Sequence, residues 1–398
     1  MRKPVKRVWI FLSVILALII LALILMLRPS VPSPEPVPTQ TPTPVFTPAP
    51  TAEPTLTVQP TLTPTATPAP LKASGFELPV AGSSGYASVA MKLRASPAPG
   101  AASAASLSEG APFRVLQESG GWFRVRTEDA EGWVESRYCL INLPDVIPSI
   151  VYDATNTYAS VIRASGMALP GITGHGLYPG KQQNDRLGAR QFIMPVLYPM
   201  AKKIYRAQRA ALANSETLMI YEAYRPYDVQ MKVVRALEKL AGENETVRKG
   251  ISSSPWSLSW FASTRLSNHQ RGGAIDVSLA KVSATAQAVS GRYGYTVVTV
   301  SNRYKMPTAM HELSSAAAAF AVPVSARSRT AWRKAEPSRA MNAAALRLQR
   351  YLTGAGLTPL ASEWWHFNDL DALENSGANP SSGRYTLSTC MSVPPETE

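Results

Sequence analysis

The segment from Pro29 to Pro70 limits where this 398-residue chain can build a core, because it holds fourteen of the 34 prolines. It alternates proline with threonine and carries almost no large apolar side chains. Such a composition buries too little apolar surface to fold and favours extended polyproline II, at about 3.1 Å per residue. We therefore expect a disordered Pro/Thr-rich linker or stalk over residues 28–71, with the globular part of the chain after it.

An apolar run over residues 8–27, interrupted only by Ser13, precedes this linker. It is long enough to cross a hydrocarbon core about 30 Å thick. Residues 1–7 form a basic tail, which the positive-inside rule places in the cytoplasm. The sequence predicts a single-pass cell-membrane protein with a transmembrane helix and with everything after Leu27 outside the cell. The alternative is a cleaved signal peptide, which would export the chain as well.

The formal net charge of +13 could attract nucleic acid, anionic lipid or an anionic polymer. No nucleic-acid-binding motif accompanies this charge, and export would keep the chain away from DNA, so we expect no nucleic-acid partner. The two cysteines, Cys139 and Cys390, are too few for a disulfide framework or a thiolate zinc site. The sequence leaves open whether they pair.

Residues 75–143 contain short β-prone runs, of which Trp122–Arg126 alternates apolar and polar side chains as a half-buried strand does. Gly120-Gly121 and Glu131-Gly132 are predicted turns. The order of these runs resembles bacterial SH3 domains. The resemblance implies a small all-β barrel that binds cell-wall peptide; a spacer without a ligand is the alternative.

Residues 147–392 alternate predicted helices and strands. Apolar stripes at helical spacing predict helices near 197–213, from Val229 to Gly242, and from an N-cap at Ser338 to Leu352. Strands are predicted over 217–221 and 364–367. This pattern is typical of an α+β domain with helices packed on a small antiparallel sheet.

Two compact polar clusters in this region hold two of the four histidines. His269 and Asp276 flank a Gly-Gly-Ala turn, and His366 follows Glu363 by three residues. A catalytic zinc ion needs three nitrogen or oxygen ligands at about 2.0–2.2 Å and one open position. We predict that His269, Asp276 and His366 hold one Zn²⁺. Glu363 would then accept a proton from the attacking water and pass it to the leaving amine.

The combined motifs are specific where each one alone is weak. Ser-x-His-x-x-Gly-x-Ala-x-Asp over 267–276, Glu-x-x-His over 363–366 and Tyr-Arg-Pro over 224–226 resemble the zinc D-alanyl-D-alanine dipeptidase and D,D-carboxypeptidase family. The vancomycin-resistance type of dipeptidase is the most similar. The resemblance implies the same three zinc ligands and the same base. It further implies that Arg225 stabilises the oxyanion and that Ser267 helps to hold substrate; a purely structural salt bridge is the alternative for Arg225.

One position departs from the family pattern. Related dipeptidases carry an aspartate after a Met-x-Thr segment, where it recognises the substrate's free ammonium group. Here the segment from Met306 continues to His311, with Glu312 as the candidate replacement. We expect hydrolysis of D-alanyl-D-alanine, as the free dipeptide. A D,D-carboxypeptidase that trims peptidoglycan stem peptides and a non-catalytic wall-binding protein are the alternatives.

Overall fold

The computed structural model describes residues 69–153, 161–162, 167–261, 263, 265–377 and 381–396. No helix within these ranges is long and apolar enough to cross a membrane. The longest has 17 residues, whereas a spanning helix needs about 20 apolar residues. The prediction of a single-pass membrane protein is therefore not supported by the structure. The basic tail over 1–7, the predicted transmembrane segment over 8–27 and the linker up to residue 68 lie outside the described residues.

The strands are bounded as follows: β1 (Ser84–Ala87), β2 (Met91–Arg94), β3 (Ser103–Leu107), β4 (Pro112–Ser119), β5 (Trp122–Arg126), β6 (Glu131–Glu135), β7 (Cys139–Asn142), β8 (Val151–Tyr152), β9 (Val161–Ile162), β10 (Met167–Ala168), β11 (Gln182–Asn184), β12 (Ala189–Gln191), β13 (Pro195–Leu197), β14 (Glu216–Glu222), β15 (Ala274–Ser290), β16 (Tyr293–Arg303), β17 (Thr358–Pro359) and β18 (His366–Asn368). The α-helices are α1 (Leu143–Val146), α2 (Tyr198–Leu212), α3 (Tyr227–Glu243), α4 (Glu245–Ile251), α5 (Ala343–Gly354) and α6 (Leu370–Asn375).

The region predicted to resemble an SH3 domain is rich in sheet. Its strands run in the order β7-β1-β4-β5-β6-β2-β3, and β13 is added beside β7. The predicted turn at Gly120-Gly121 joins β4 to β5, and both glycines have the positive φ that a two-residue hairpin turn requires. The turn predicted at Glu131-Gly132 is wrong, because both residues lie in β6. Gly132 serves close packing instead, since a Cβ there would lie 2.7 Å from the carbonyl oxygen of Arg94.

The rest of the chain is α+β, with a second sheet in the order β17-β18-β15-β14-β8 and with β16 paired to β15. The predicted strand over 217–221 is β14, and the predicted helix near 197–213 is α2, which packs on β14. The sheet is mixed and not fully antiparallel, because β8 runs parallel to β14. Parallel strands need a crossover connection, and the chain makes this one through α2.

Helix α5 begins later than predicted. Its N-cap is Asn342, whose side-chain oxygen accepts a hydrogen bond from the Ala345 amide at 3.0 Å. The hydroxyl of Ser338, the predicted N-cap, accepts instead from the Ala340 amide at 3.2 Å within a preceding turn. An asparagine placed to bond the third helical amide is the stronger start signal of the two.

The SH3-like sheet and the α+β part share one hydrophobic core. Strand β13 pairs with β7, and the C-terminal segment 381–396 returns to the SH3-like sheet, where the Tyr86 hydroxyl donates to the Thr389 carbonyl at 2.7 Å. The buried Arg186 guanidinium donates to the carbonyls of Ala81 and Asp145 at 2.8 and 2.9 Å. The two cysteines are unpaired.

The turn that precedes β15 packs directly on the SH3-like sheet. Gly272 in this turn has φ +70°, and its carbonyl accepts a hydrogen bond from the Leu197 amide at 2.8 Å. A Cβ at this position would lie 2.2 Å from Cδ2 of Leu140 in β7. Glycine satisfies both the backbone conformation and the close approach.

We expect Gly272→Ala to lower the free energy of unfolding by about 2–5 kcal/mol, which combines left-handed strain with overpacking against Leu140. Gly188→Ala is the matched control, because Gly188 has φ +61° but no atom within 4 Å of the added Cβ. It should lose only the strain contribution of about 1–2 kcal/mol. Urea unfolding measures both variants, and equal losses would contradict the packing argument.

Candidate metal centre

The register of three neighbouring strands aligns polar side chains across the second sheet. Asp276 in β15 lies opposite His366 in β18 and opposite Glu222 in β14. A β-bulge at Tyr221 brings Glu222 into this register. Because directly opposite residues of antiparallel strands project from the same face, the sheet holds the three side chains in one row.

His269 reaches this row from the turn before β15. Its amide donates to the Ser267 hydroxyl at 3.2 Å, and its Nδ1 lies 2.7 Å from the carbonyl oxygen of Ala223. His366 Nε2 lies 3.0 Å from Oδ1 of Asn368, an oxygen that also accepts from Asn268. Both oxygens are acceptors, so these ring nitrogens carry the protons. The other ring nitrogens, His269 Nε2 and His366 Nδ1, therefore present lone pairs.

Those two nitrogens and one carboxylate oxygen form a small buried triangle. His269 Nε2 and His366 Nδ1 are 3.1 Å apart, and Oδ1 of Asp276 lies 3.3 and 3.1 Å from them. Three electron-rich atoms at this spacing are stabilised by a cation placed among them. The structure thus brings together His269, Asp276 and His366, as one of the groups able to hold a metal ion.

The second carboxylate oxygen of Asp276 has other partners. His311 Nε2 lies 2.9 Å from Oδ2, and Arg225 Nη2 donates to it at 3.2 Å. The two donors at Oδ2 favour the ionised carboxylate against the cost of its burial. Its other oxygen, Oδ1, faces the two imidazole nitrogens of the triangle.

Arg225 lies in the same cleft between two carboxylates. Its Nε donates to Glu222 at 2.9 Å, its Nη1 donates to Gln230 at 2.6 Å, and its Nη2 bonds both Glu222 and Asp276. Burial opposes its charge, but the two carboxylates raise its pKa above the ordinary value. Glu222, Asp276 and His311 form a second group of metal-binding residue types, and the guanidinium supplies positive charge to it.

Glu363 and Ser267 complete the set of predicted residues. Oε2 of Glu363 lies 3.6 Å from His366 Nδ1, and the side chain is 12% exposed. Burial raises the pKa of Glu363 to about 7. All six predicted site residues line one cleft of about 410 Å³, namely Arg225, Ser267, His269, Asp276, Glu363 and His366.

Several contributors were missed by sequence reasoning. Glu222 stands three residues before Arg225, a spacing that could have indicated the ion pair. Asn368 stands two residues after His366, which places both on one face of β18. His311 departs from the family pattern in sequence, but only the structure shows its φ of +58° and its contact with Asp276. Glu312 is buried, bonds Ser314, and is not among the described residues that line the cleft.

Comparison with known proteins agrees with these observations. Residues 87–138 match the family model of the bacterial SH3 domain, and residues 188–381 match the family model of the D-ala-D-ala dipeptidase. A search of curated proteins gives no match. The second matched range contains the whole triangle and all six predicted site residues. The chain therefore carries a peptidase domain of the D-Ala-D-Ala dipeptidase family together with a bacterial SH3 domain.

Proposed function

We propose that this chain is a zinc-dependent hydrolase of the D-alanyl-D-alanine bond, with the ion held by His269, Asp276 and His366. The triangle of two lone-pair nitrogens and one carboxylate oxygen carries this proposal. Its edges of 3.1–3.3 Å agree with the spacing of about 3.3 Å expected between tetrahedral ligands of zinc at 2.0–2.1 Å.

The surroundings of the triangle support the same fit. Each imidazole donates its other N–H to an oxygen, of Ala223 in one case and of Asn368 in the other. Such partners orient ligand rings and fix their tautomers in zinc sites. When bound, zinc supplies a Lewis acid that polarises the scissile carbonyl and lowers the pKa of water.

Glu363 is the proposed general base. Its carboxylate lines the cleft beside His366, in reach of a water that approaches the triangle from the open side. It would take a proton from that water as it attacks the carbonyl carbon. The same carboxyl would then give the proton to the departing amine nitrogen, so that one residue serves both halves of the reaction.

Arg225 has two tasks in this proposal. A guanidinium carries five N–H donors, and four of these bond Glu222, Gln230 and Asp276. The bond from Nη2 holds Oδ2 of Asp276 and leaves Oδ1 for the ion. The fifth donor, on Nη1, is assigned to the oxyanion of the tetrahedral intermediate. Ser267 lies at the cleft wall and is assigned to hold the substrate.

The free dipeptide is the first candidate substrate, and a peptide that ends in D-Ala-D-Ala is the second. Two observations favour the second. His311 bonds Asp276 at the position where related dipeptidases use an aspartate for the free ammonium group, and the cleft of about 410 Å³ lies in the range that accepts ligands larger than two alanines. Hydrolysis of such peptides also agrees with an SH3 domain in the same chain that would bind cell-wall peptide.

The decisive assay incubates the chain with free D-Ala-D-Ala and with an N-acylated pentapeptide that ends in D-Ala-D-Ala. We expect release of D-alanine that stops on dialysis against a chelator and returns with one equivalent of zinc. Hydrolysis of the dipeptide identifies a dipeptidase, and hydrolysis of the pentapeptide alone identifies a carboxypeptidase. If neither substrate is cleaved by the zinc-loaded chain, the proposal fails.

Glu363→Gln should lower kcat by about 10²–10⁴-fold, because the amide cannot accept the proton. Zinc content, measured by metal analysis, should stay at the wild-type level because Glu363 is not a proposed ligand. Glu128→Gln, at an exposed position in the SH3 region, is the control and should keep full activity. Unchanged hydrolysis by Glu363→Gln would remove this residue from the mechanism.

A further inference from the structure

A second groove, of about 480 Å³, lies next to the catalytic cleft. One wall is the segment Pro170–Ile172, and the other is helix α3. Ile172 lines both the groove and the cleft. The two depressions therefore share a rim.

Helix α3 separates the two depressions along its length. Val229 and Val233 face the cleft, whereas Lys232 and Ala236 line the groove. At about 100° per residue, these four positions span adjacent sectors of one helix surface. A bound peptide that leaves the cleft past Ile172 would cross α3 and enter the groove without a sharp turn.

The groove carries an excess of positive charge. Lys232, Arg235 and Lys239 are exposed on the same face of α3, at spacings of three and four residues. Asp228 is the one acidic residue among those that line it. In the described part of the chain, Lys239 has a loose pair with Glu243 at 3.9 Å, and neither Lys232 nor Arg235 forms a salt bridge. Three exposed ammonium and guanidinium groups in one groove favour a ligand with carboxylates.

The length of the groove fits a peptide. From Tyr227 to Lys239, the first and last groove residues on α3, the helix rises about 18 Å, which equals about five to six residues of extended chain. A substrate cleaved before its last D-alanine has nothing beyond that residue, so any further part must lie on the N-terminal side of the scissile bond.

We propose that this groove binds an acidic residue of the peptide substrate, N-terminal to the D-Ala-D-Ala unit. The inference rests on the proposed function and names the substrate class of the same site. The free dipeptide cannot reach the groove. An acidic peptide that ends in D-Ala-D-Ala is therefore the preferred ligand.

The test measures binding of two fluorescent peptides to the full zinc-loaded chain that carries Glu363→Gln, so that the peptides stay intact. The peptides are acyl-Glu-Ala-Ala-D-Ala-D-Ala and its Gln counterpart, which differ by one carboxylate. We expect the Glu peptide to bind about two- to fivefold more tightly, as exposed ion pairs allow. This preference should shrink at high salt.

A variant in which Lys232, Arg235 and Lys239 are all changed to Gln should bind the two peptides equally. The matched control changes Lys92, Lys281 and Arg350 to Gln, which removes the same charge at exposed positions that do not line the groove. It should keep the preference. Circular dichroism and thermal unfolding establish that both triple variants are folded.

Three results would overturn the inference: equal affinity for the two peptides in the Glu363→Gln chain, a preference that survives in the groove variant, or a preference lost equally in the control. The last would indicate long-range attraction by net charge. If only the groove proposal is wrong, the unmodified chain still hydrolyses its substrate. If the proposed function is wrong, no hydrolysis is seen, regardless of how the two peptides bind.

Discussion

The candidate site depends on the contacts of one buried group, the carboxylate of Asp276. Its Oδ1 faces two imidazole lone pairs, and its Oδ2 accepts from His311 and Arg225. The side chain is 1% exposed, so the two donors at Oδ2 offset part of the cost of burying its charge, and a cation at Oδ1 would offset more. The same residue pairs in register with β14 on one side and β18 on the other, which ties the chemistry to the sheet.

This arrangement extends into the SH3-like sheet. The turn that carries His269 closes at Gly272, and Gly272 packs on Leu140 and bonds Leu197. Leu197 ends β13, which pairs with β7. The turn that holds His269 is thus joined to the SH3-like sheet by direct packing and by one backbone hydrogen bond.

Much of the site could be predicted because its residues fall in short ordered motifs. The spacing from His269 to Asp276 and the step from Glu363 to His366 predicted which side chains converge, and the structure brings them together. The contacts of Arg225 with Glu222 and of His311 with Asp276 join positions whose proximity depends on strand register and on one β-bulge. No local pattern encodes that register.

The fold was predictable to the same degree. Periodicity located α2 and β14, but not the start of α5, because Ser338 and Asn342 are both acceptable caps and only Asn342 bonds the third helical amide. The prediction of a turn at Gly132 is wrong because glycine also occurs in strands where another backbone approaches closely. Apolar composition predicted a membrane helix, and no described helix has the required length and apolarity.

X-ray absorption at the zinc K-edge of the zinc-loaded chain tests whether His269, Asp276 and His366 bind one ion. We expect one zinc ion with two imidazole nitrogens and one carboxylate oxygen at about 2.0–2.2 Å, and the loss of one imidazole signal in His366→Ala. A chain that takes up no zinc, or a spectrum without two imidazoles, would show that these residues do not form a zinc site.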